Sequence, residues 1–565
     1  MEHFESTIRA YQGSLASWNF ENSTSYSESF AISRFKKKYE RPDPKKDEAL
    51  ADKCWQDFIQ FDHQLPSRVT LPSGEWYKAR YKLHAWLRGD FSRYPIDFPK
   101  GSSFNATKGF NSIESRLCRG KWTCTSENFN EFSRVVHGHK ALKRAFRKRY
   151  TRWYREQNFD LTEQQAQRQL WNAFKGMPNG PFLVFQWKLE RITSFVRGSR
   201  FSTVPKNNKK RRPINIEPLG NILVQRQQGN FLRDVLLQQG IDLDTLADHH
   251  KNRIRDSDVA TIDLSNASDS NSVALLEFLL PKKVFKQLSA SRSSLLLGAD
   301  GEYHTLNKMS SMGNGYTFEL MTLVLTALCR VLDENATVFG DDIIINKKQA
   351  PRLIELLTEV GWVVNEEKSF IDGPFRESCG ANYHDVHGYI KSYDFLYPTT
   401  IADCANILNK AYALREYHNF GVLYEHLRRQ TPKALRGGPF HGTLIETFAT
   451  LGDHEDIPLY FACESKGQLV SRKRAKKAKK EWCINEVSTF KALRYIPQLA
   501  SRTVNDLNPN WHWGKYEMYL HAGRISDDIV TLPEILKQHG WHTAAIVNLP
   551  WLNPEVSNIP QGIGE

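Results

Sequence analysis

The clearest pattern of apolar and polar positions lies in the middle of the 565-residue chain. The stretch Val259 to Ile262 predicts a strand ending at Asp263, and helical spacing of apolar residues over 271–280 predicts a helix stopped by Pro281. The long apolar stretch at 315–332 predicts a second helix. It leads into Thr337-Val338-Phe339 and Ile343-Ile344-Ile345, two short strands joined by Gly340, Asp341 and Asp342, with Gly at the bend. Pro351 opens a helix carrying Leu353, Ile354, Leu356, Leu357 and Val360, which Gly361 terminates before a strand at 362–364. Strand, helix, helix, hairpin, helix, strand is the order of a small antiparallel sheet backed by helices, of the split β-α-β kind. On such a sheet the end of the first strand and the hairpin turn would lie side by side, bringing Asp263 to Asp341 and Asp342.

Outside this region the pattern is weaker. Residues 1 to about 200 hold no repeat but are rich in aromatic and basic residues. Phe35 among Arg34, Lys36, Lys37 and Lys38, before Pro42 and Pro44, suggests a basic surface loop. From Lys140 to Arg155 there are eight Lys or Arg and no acid, several at helical spacing, with Phe146, Tyr150, Trp153 and Tyr154 interleaved. Such a face is either simply solvated or tracks phosphates. From about 396 the chain reads as mostly helical, with a second basic run at 472–480, solvated or in contact with nucleic acid. Trp511, His512 and Trp513 read as buried aromatics, with stacking on a base as the alternative.

The 77 Lys and Arg outnumber 63 Asp and Glu, a net charge of +14. That balance favours a polyanionic partner such as nucleic acid, although an acidic membrane surface satisfies the same statistic. No apolar run approaches the ~18 residues of a spanning helix. The first twenty residues lack the basic start and apolar middle of a signal peptide, so an intracellular protein without a membrane partner is expected. Eight cysteines with no C-x-x-C pair read as reduced thiols. Cys379, His384 and His387 are three nominal zinc ligands without a fourth, for which a structural role is expected.

Two adjacent carboxylates between β-branched strands cost several kcal/mol if buried unneutralised, and divalent cations suit that task. Taken alone, Phe339-Gly340-Asp341-Asp342 reads equally as an exposed acidic turn. With Asp263, the carboxylates suffice in kind and number for phosphoryl transfer assisted by two divalent ions. The stretch 202–213 contributes Lys206, Lys209, Lys210, Arg211 and Arg212, five basic residues in a turn-rich segment and dense compensation for a triphosphate. After Asp263, the run Leu264-Ser265-Asn266-Ala267-Ser268-Asp269-Ser270 is small and polar. Asp269 is either a second carboxylate near the first or the cap of the following helix. The Gly-rich loop 310–317 opens a helix but lacks the Gly-Lys-Ser or Gly-Lys-Thr of a Walker loop.

A basic loop, Asp-x5-Asp after a strand, Ser-Met-Gly before a helix and Gly-Asp-Asp in a hairpin resemble, in that order, the motifs of viral RNA-dependent RNA polymerases. The chain is similar, more closely, to the replicase catalytic subunits of the levivirus group of single-stranded RNA bacteriophages. The residues that carry this are Thr203-Val204-Pro205-Lys206-Asn207, Ile216-Glu217-Pro218, Gly240-Ile241-Asp242-Leu243, Thr261-Ile262-Asp263-Leu264-Ser265, Ala267-Ser268-Asp269-Ser270, Ser310-Ser311-Met312-Gly313-Asn314-Gly315 and Phe375-Arg376-Glu377-Ser378-Cys379-Gly380. They cover about residues 200–395.

The resemblance implies an α+β, right-hand polymerase fold. An N-terminal region and fingers would occupy 1–250, with the triphosphate-binding loop at 202–213. A palm would occupy 251–395, with a fingers insertion at about 282–308, and a mostly helical thumb and C-terminal region 396–565. Asp263, Asp341 and Asp342, with Leu264, would hold two Mg2+ ions, for which Mn2+ can substitute. Lys206, Lys209 and Arg212 would face the incoming triphosphate. Asp269, with Ser311, Gly313 and Asn314, would position the ribose and select ribonucleotides through the 2′-hydroxyl. Lys368 would protonate the pyrophosphate leaving group, unless it is a surface lysine beside Glu366 and Glu367. The implied partners are template and product RNA, ribonucleoside triphosphates, host elongation factors Tu and Ts and a host ribosomal protein, in the cytoplasm of an infected bacterium. Two positions depart from the pattern. Phe339 stands where Tyr is more usual, and Met321 follows Thr317 at the spacing where Asn is common, so the ribose contact must be shared differently.

The expected activity is synthesis of RNA on an RNA template by attack of a 3′-hydroxyl on an α-phosphate, with release of pyrophosphate. A reverse transcriptase is the nearest alternative, opposed by Gly340 and by Asp269. A non-catalytic RNA-binding protein with a structural acidic hairpin is the second.

Overall fold

The computed structural model describes residues 2–431, apart from 22, 24, 40–43, 68, 70, 71, 98–103, 105–116, 118–121, 158, 208, 394, 396 and 400. The basic run at 472–480, Trp511 to Trp513 and the helical reading beyond 431 lie outside the described residues. Two compact units emerge, Met1–Arg41 with Thr107–Glu114 and Ser392–Glu565, and Pro42–Ala106 with Ser115–Lys391. The first 41 residues therefore group with the segment from Ser392 onward.

In the first unit, helices Glu2–Ser17, Tyr26–Tyr39, Ile401–Ala413 and His418–Gln430 contribute to one core that includes Tyr11, Phe35, Phe395, Leu408 and Phe420. The expected loop around Phe35 is thus a helix. Phe35 is buried edge-on to Phe395 at 4.6 Å and to Phe20 at 5.0 Å, while Lys36 and Lys37 stay exposed. One aromatic among cations marks the inner face of an amphipathic helix as readily as a loop.

In the second unit, β1 (Trp122–Cys124) and β2 (Thr193–Phe195) pair in parallel. Strands β3 (Ser199–Pro205) and β4 (Arg211–Ile216) form an antiparallel hairpin. The 282–308 insertion folds as helix Lys282–Ser291 followed by β7 (Leu295–Leu297) and β8 (Tyr303–Thr305), and these strands extend that hairpin into the order β4-β3-β7-β8. The stretch expected to be a basic loop is therefore mostly strand, and only its tip is a turn.

The expected antiparallel sheet is present. Strands β5 (Val259–Ile262), β9 (Thr337–Phe339) and β10 (Asp342–Asn346) lie in the order β5-β10-β9. Beyond Asp263, β6 (Leu264–Ser265) pairs with β11 (Val363–Val364). Strands β12 (Phe375–Ser378), β13 (Ala381–His384) and β14 (Gly388–Ile390) form a meander. Ile343 and Ile345 join the main core with Leu320, Leu323 and Val324, whereas Ile344 packs with Ile254 and Val259. Successive side chains face opposite sides, so three consecutive isoleucines mean a strand covered on both faces.

Helix Thr317–Leu332 is the central element of that core, buried from Leu320 to Cys329 and packed against helices Gly74–Trp86 and Leu219–Gln238. The last of these gives little sign in the sequence, because the buried Asn221, Gln225 and Gln228 interrupt its apolar rhythm. The helix expected at 271–280 spans Val273–Leu279, capped by Ser272, whose Oγ accepts the Leu275 N–H at 3.0 Å. Asp269 is not the cap; it lies in the preceding 3-10 turn, Ala267–Asp269. In helix Lys140–Glu156, Leu142, Phe146, Tyr150 and Tyr154 form a buried stripe at four-residue spacing. Those aromatics are core, and Arg144, Arg147, Lys148, Arg152 and Arg155 are left exposed. Among the described residues no helix is long and apolar enough to cross a membrane.

Candidate active site

Phe339 pairs directly with Asp342, so the connection between β9 and β10 is only Gly340 and Asp341, and Asp342 already belongs to the strand. Gly340 has φ of +66°, and a Cβ there would stand 2.5 Å from Phe318 Cε2. A left-handed first turn position followed by an ordinary one is the pattern of a type II′ hairpin, which calls for glycine. The Gly340 N–H donates to Thr322 Oγ1 at 3.0 Å. Phe318 and Thr322, one turn apart on the central helix, thereby seat the acidic turn. The Phe339 ring packs edge-on to Phe318 at 5.0 Å and toward His250 at 6.4 Å, contacts that require no hydroxyl.

Ile262 pairs with Ile343, which puts Asp263 and Asp342 one step further along adjacent strands. Asp263 is held by the segment after β11. Asn365 Nδ2 donates to Asp263 Oδ2 at 2.6 Å, the Asn365 N–H to the Asp263 carbonyl at 2.9 Å, and the Asp263 N–H to Ser369 Oγ at 3.1 Å. Lys368 Nζ lies 3.7 Å from Asp263 Oδ1 with its side chain 41% exposed. Lys368 is thus at the carboxylate cluster, and Asn365 and Ser369 are site residues that sequence reasoning missed. A polar residue in a loop, far along the chain from its partner, leaves no periodic signal.

Charge within the cluster is poorly compensated. Burial, then the neighbouring Asp341 and Asp263 charges, push the Asp342 carboxyl up to about 7 against the pull of the Cys379 N–H and Lys368. Burial also raises Asp263, opposed by Lys368 and Asn365. On the β3–β4 turn, Lys206 is held below the ordinary lysine range by desolvation and by Arg212, Lys368 and Lys210, with Asp263 opposing. Lys206 thus shares the field of the cluster, and Lys209 and Arg212 are exposed on the same hairpin. Arg211 is not: it bonds Asp47 at 2.5 Å and Thr203 Oγ1 at 2.7 Å, tying the hairpin to helix Pro44–Gln64.

Asp269 is buried, with Oδ1 3.2 Å from Lys308 Nζ and Oδ2 accepting a long 3.4 Å contact from Ser268 Oγ. The Ser311 carbonyl accepts from Thr317 Oγ1 at 2.9 Å and from the Asn314 N–H at 3.0 Å, while its own Oγ is buried without a partner. Gly313, at φ +111°, presses on β4 so closely that a Cβ would meet the Asn215 carbonyl oxygen at 2.1 Å. Asn314 Oδ1 accepts the Tyr316 N–H at 3.0 Å. Gly313 and Asn314 are therefore engaged in shaping the loop itself. Its end is fixed by two more residues that the sequence did not reveal. Gln225 Oε1 accepts the Gly315 N–H at 3.0 Å, and Arg226 donates to the Gly315 carbonyl at 2.7 Å while pairing with Asp97 and Glu319. Met321 is buried in the core, away from any polar role.

Among the described residues no three His, Cys, Asp or Glu side chains converge closely enough to grip an ion. The donor set nevertheless suits hard divalent cations, since Asp263, Asp341 and Asp342 offer only carboxylate oxygens, and burial, with the Asp341 charge adding to it, raises Asp342 and Asp263. The Leu264 side chain is in the core, so only its backbone carbonyl remains as a donor. Cys379 Sγ lies 3.5 Å from His250 Nδ1, while the His384 and His387 rings meet at a tilt of 42° with centroids 4.7 Å apart.

Residues 137–419 match the sequence pattern of the family described as RNA replicase, beta-chain. The RNA-directed RNA polymerase subunit beta of Qbeta virus (strain MX1) is 42% identical over 237 residues, 39% of each chain. The RNA-directed RNA polymerase beta chain of Escherichia phage MS2 is 39% identical over 198 residues, 34% of this chain and 36% of the relative. The aligned stretch thus spans about two fifths of the length of these relatives. The RNA-dependent RNA polymerase of bacteriophage phi12 aligns in structure over 79% of this chain and 77% of its own, with 12% identity and a TM-score of 0.36, too loose a likeness to bear on the fold.

Proposed function

From the premise that the chain belongs to the RNA replicase beta-chain family, we propose that it is the catalytic subunit of an RNA-directed RNA polymerase that replicates a single-stranded RNA phage genome. The observation that carries this is the register of β5 against β10, which sets Asp263 and Asp342 side by side with Asp341 on the adjoining turn. In a right-hand arrangement, the sheet β5-β10-β9 is the palm and the β3–β4 hairpin with its β7–β8 extension belongs to the fingers. The thumb falls in the segment from 396 onward.

Each residue then has a chemical task. Asp263, Asp341 and Asp342, with the Leu264 carbonyl, would hold two magnesium ions, or manganese, which supply Lewis-acid activation of the attacking 3′-hydroxyl and of the leaving group. Asn365 and Ser369 orient Asp263. Lys206, Lys209 and Arg212 bind the triphosphate, and the crowding of like charge around Lys206 is relieved when an anion arrives. Lys368 keeps a proton at Nζ beside Asp263, where the departing pyrophosphate can take it. Asp269 accepts a hydrogen bond from the ribose 2′-hydroxyl, and the buried, unpartnered Ser311 Oγ is the second group assigned to the ribose. Gly313 and Asn314 act indirectly by shaping the loop. Template and product RNA are the polyanionic partners that the net charge of +14 favours. Resemblance adds host elongation factors Tu and Ts and a ribosomal protein, in the bacterial cytoplasm.

The test is RNA-templated incorporation of labelled nucleotides by the purified chain with its co-purifying proteins and magnesium. Asp341→Asn should abolish synthesis and retain RNA binding. Full synthesis by that variant would overturn the polymerase reading, and preference of the parent for deoxyribonucleotides would turn it into a reverse transcriptase.

A further inference from the structure

Lys308 is a fully buried ammonium that the tasks above leave unused. Its Nζ lies 3.2 Å from Asp269 Oδ1, 3.7 Å from Asp62 Oδ1 and 3.5 Å from the centroid of the Phe58 ring. Neither Lys308 nor Asp62 exposes any of its side chain, and Asp269 exposes 6%. A lysine stem is long enough to reach water from most positions, so complete burial needs a reason.

The backbone around Lys308 is clamped. The N–H groups of Asn307 and Lys308 donate to the Asp62 carboxylate at 2.9 and 3.2 Å, and Arg292 Nη1 donates to the Lys308 carbonyl at 2.8 Å. The Met309 N–H donates to the Asn271 carbonyl at 2.8 Å, tying this strand-like segment to the residues just after Asp269. Asp62 thus spends much of its charge on backbone groups, and Phe58 closes another side of the ammonium. What remains for Lys308 is Asp269.

Stability alone is a weak explanation, because buried ion pairs are commonly replaceable by apolar residues at no loss. The pair does, however, fix a rotation. With Oδ1 committed to Lys308, Oδ2 is the oxygen of Asp269 left with only a long contact to Ser268. We propose that Lys308 is the positioning residue that holds Asp269 so that Oδ2 accepts the ribose 2′-hydroxyl, and that it thereby sets discrimination between ribo- and 2′-deoxyribonucleoside triphosphates. The inference rests on the polymerase reading and on Asp269 as the ribose contact.

The experiment compares kcat/KM for a ribonucleoside triphosphate and its 2′-deoxy counterpart in RNA-templated extension. Lys308→Met should lower the ribo-to-deoxy ratio about tenfold or more, with deoxynucleotide use changed by less than about twofold. Lys308→Arg keeps the charge, but a planar guanidinium cannot occupy the site of a compact ammonium, so the ratio should fall at least about threefold. Thermal melting and RNA retention establish that each variant folds. If only the Arg variant folds, it carries the test. An unchanged ratio in a folded variant, equal loss with both nucleotides, or failure of both variants to fold overturns the proposal. No synthesis by the parent would sink the polymerase reading instead, and an unchanged ratio in Asp269→Ala would sink the ribose contact. A lowered ratio in Asp269→Ala with wild-type ratios in the Lys308 variants would sink this inference alone.

Discussion

In metal-free protein, Asp342 should make the fold less stable as pH rises. Its pKa goes from 3.8 to about 7, driven by burial and then by the charges of Asp341 and Asp263. A carboxyl raised in this way keeps a proton that the unfolded chain has already released, so between the two values rising pH favours the unfolded chain. The penalty is absent below 3.8, grows through the interval and is complete above about 7. A shift of about three units is worth ~4 kcal/mol, and roughly 3 kcal/mol of it accrues between pH 5 and 8. Asp342→Asn, a neutral counterpart of the protonated form, removes that dependence. Urea unfolding of both proteins in EDTA at pH 5 and pH 8 isolates it, because other groups, such as Glu217, which burial also pushes up to about 7, cancel in the comparison. The variant should gain roughly 3 kcal/mol on the parent between the two pH values, and saturating magnesium should restore the parent at pH 8. Equal pH slopes for the two proteins would refute the reasoning.

Two further substitutions probe the geometry. Gly340→Ala forces a left-handed alanine, at ~1–2 kcal/mol for the backbone alone, and displaces Phe318; a lower urea midpoint with lost RNA synthesis is expected, and an unchanged midpoint would contradict the tight turn. Asn365→Ala deletes the 2.6 Å bond to Asp263 Oδ2, a hydrogen bond to a charged group worth about 1.5–3 kcal/mol. Synthesis should slow about 10- to 150-fold, and the acidic limb of the pH–rate profile should move to higher pH, because Asn365 holds the Asp263 pKa down; a wild-type profile would show that Asp263 is placed by the backbone alone.

The carboxylate sheet was legible because its signals are local. The β-branched run Ile343-Ile344-Ile345, a glycine at the bend and an apolar stretch of helical period each act over a few residues, and together they announce the elements that the strand order β5-β10-β9 assembles. Asn365, Lys308, Asp62, Gln225 and Arg226 are different: each is a single polar residue whose partner is distant in the chain, so its meaning exists only once the fold has formed. The β3–β4 hairpin is an intermediate case. Read as a loop, its five cations were equivalent; read as a strand, alternation sends Arg211 toward Asp47 and leaves Arg212 exposed. The misreading of Phe35 has the same origin, since a charged flank hid the period that buries it against Phe395.

That distinction between local and distant determinants bears on how one short stretch offers two different carboxylates. Asp263 ends β5 among Asp341 and Asp342 with Lys368 as its nearest cation, 3.7 Å away and partly in solvent, and burial, joined at Asp342 by the Asp341 charge, pushes two of the three carboxyls up. Asp269, a turn later, meets a buried cation at 3.2 Å that the fold itself provides. The first set lacks compensation and suits ions brought from outside; the second is already compensated and suits donation from a neutral hydroxyl. Under the proposed function those are the two services required of carboxylates at a nucleotidyl-transfer site, metal binding and ribose recognition. What separates them is the supply of positive charge, set for Asp269 by Lys308, which the 282–308 insertion brings to it.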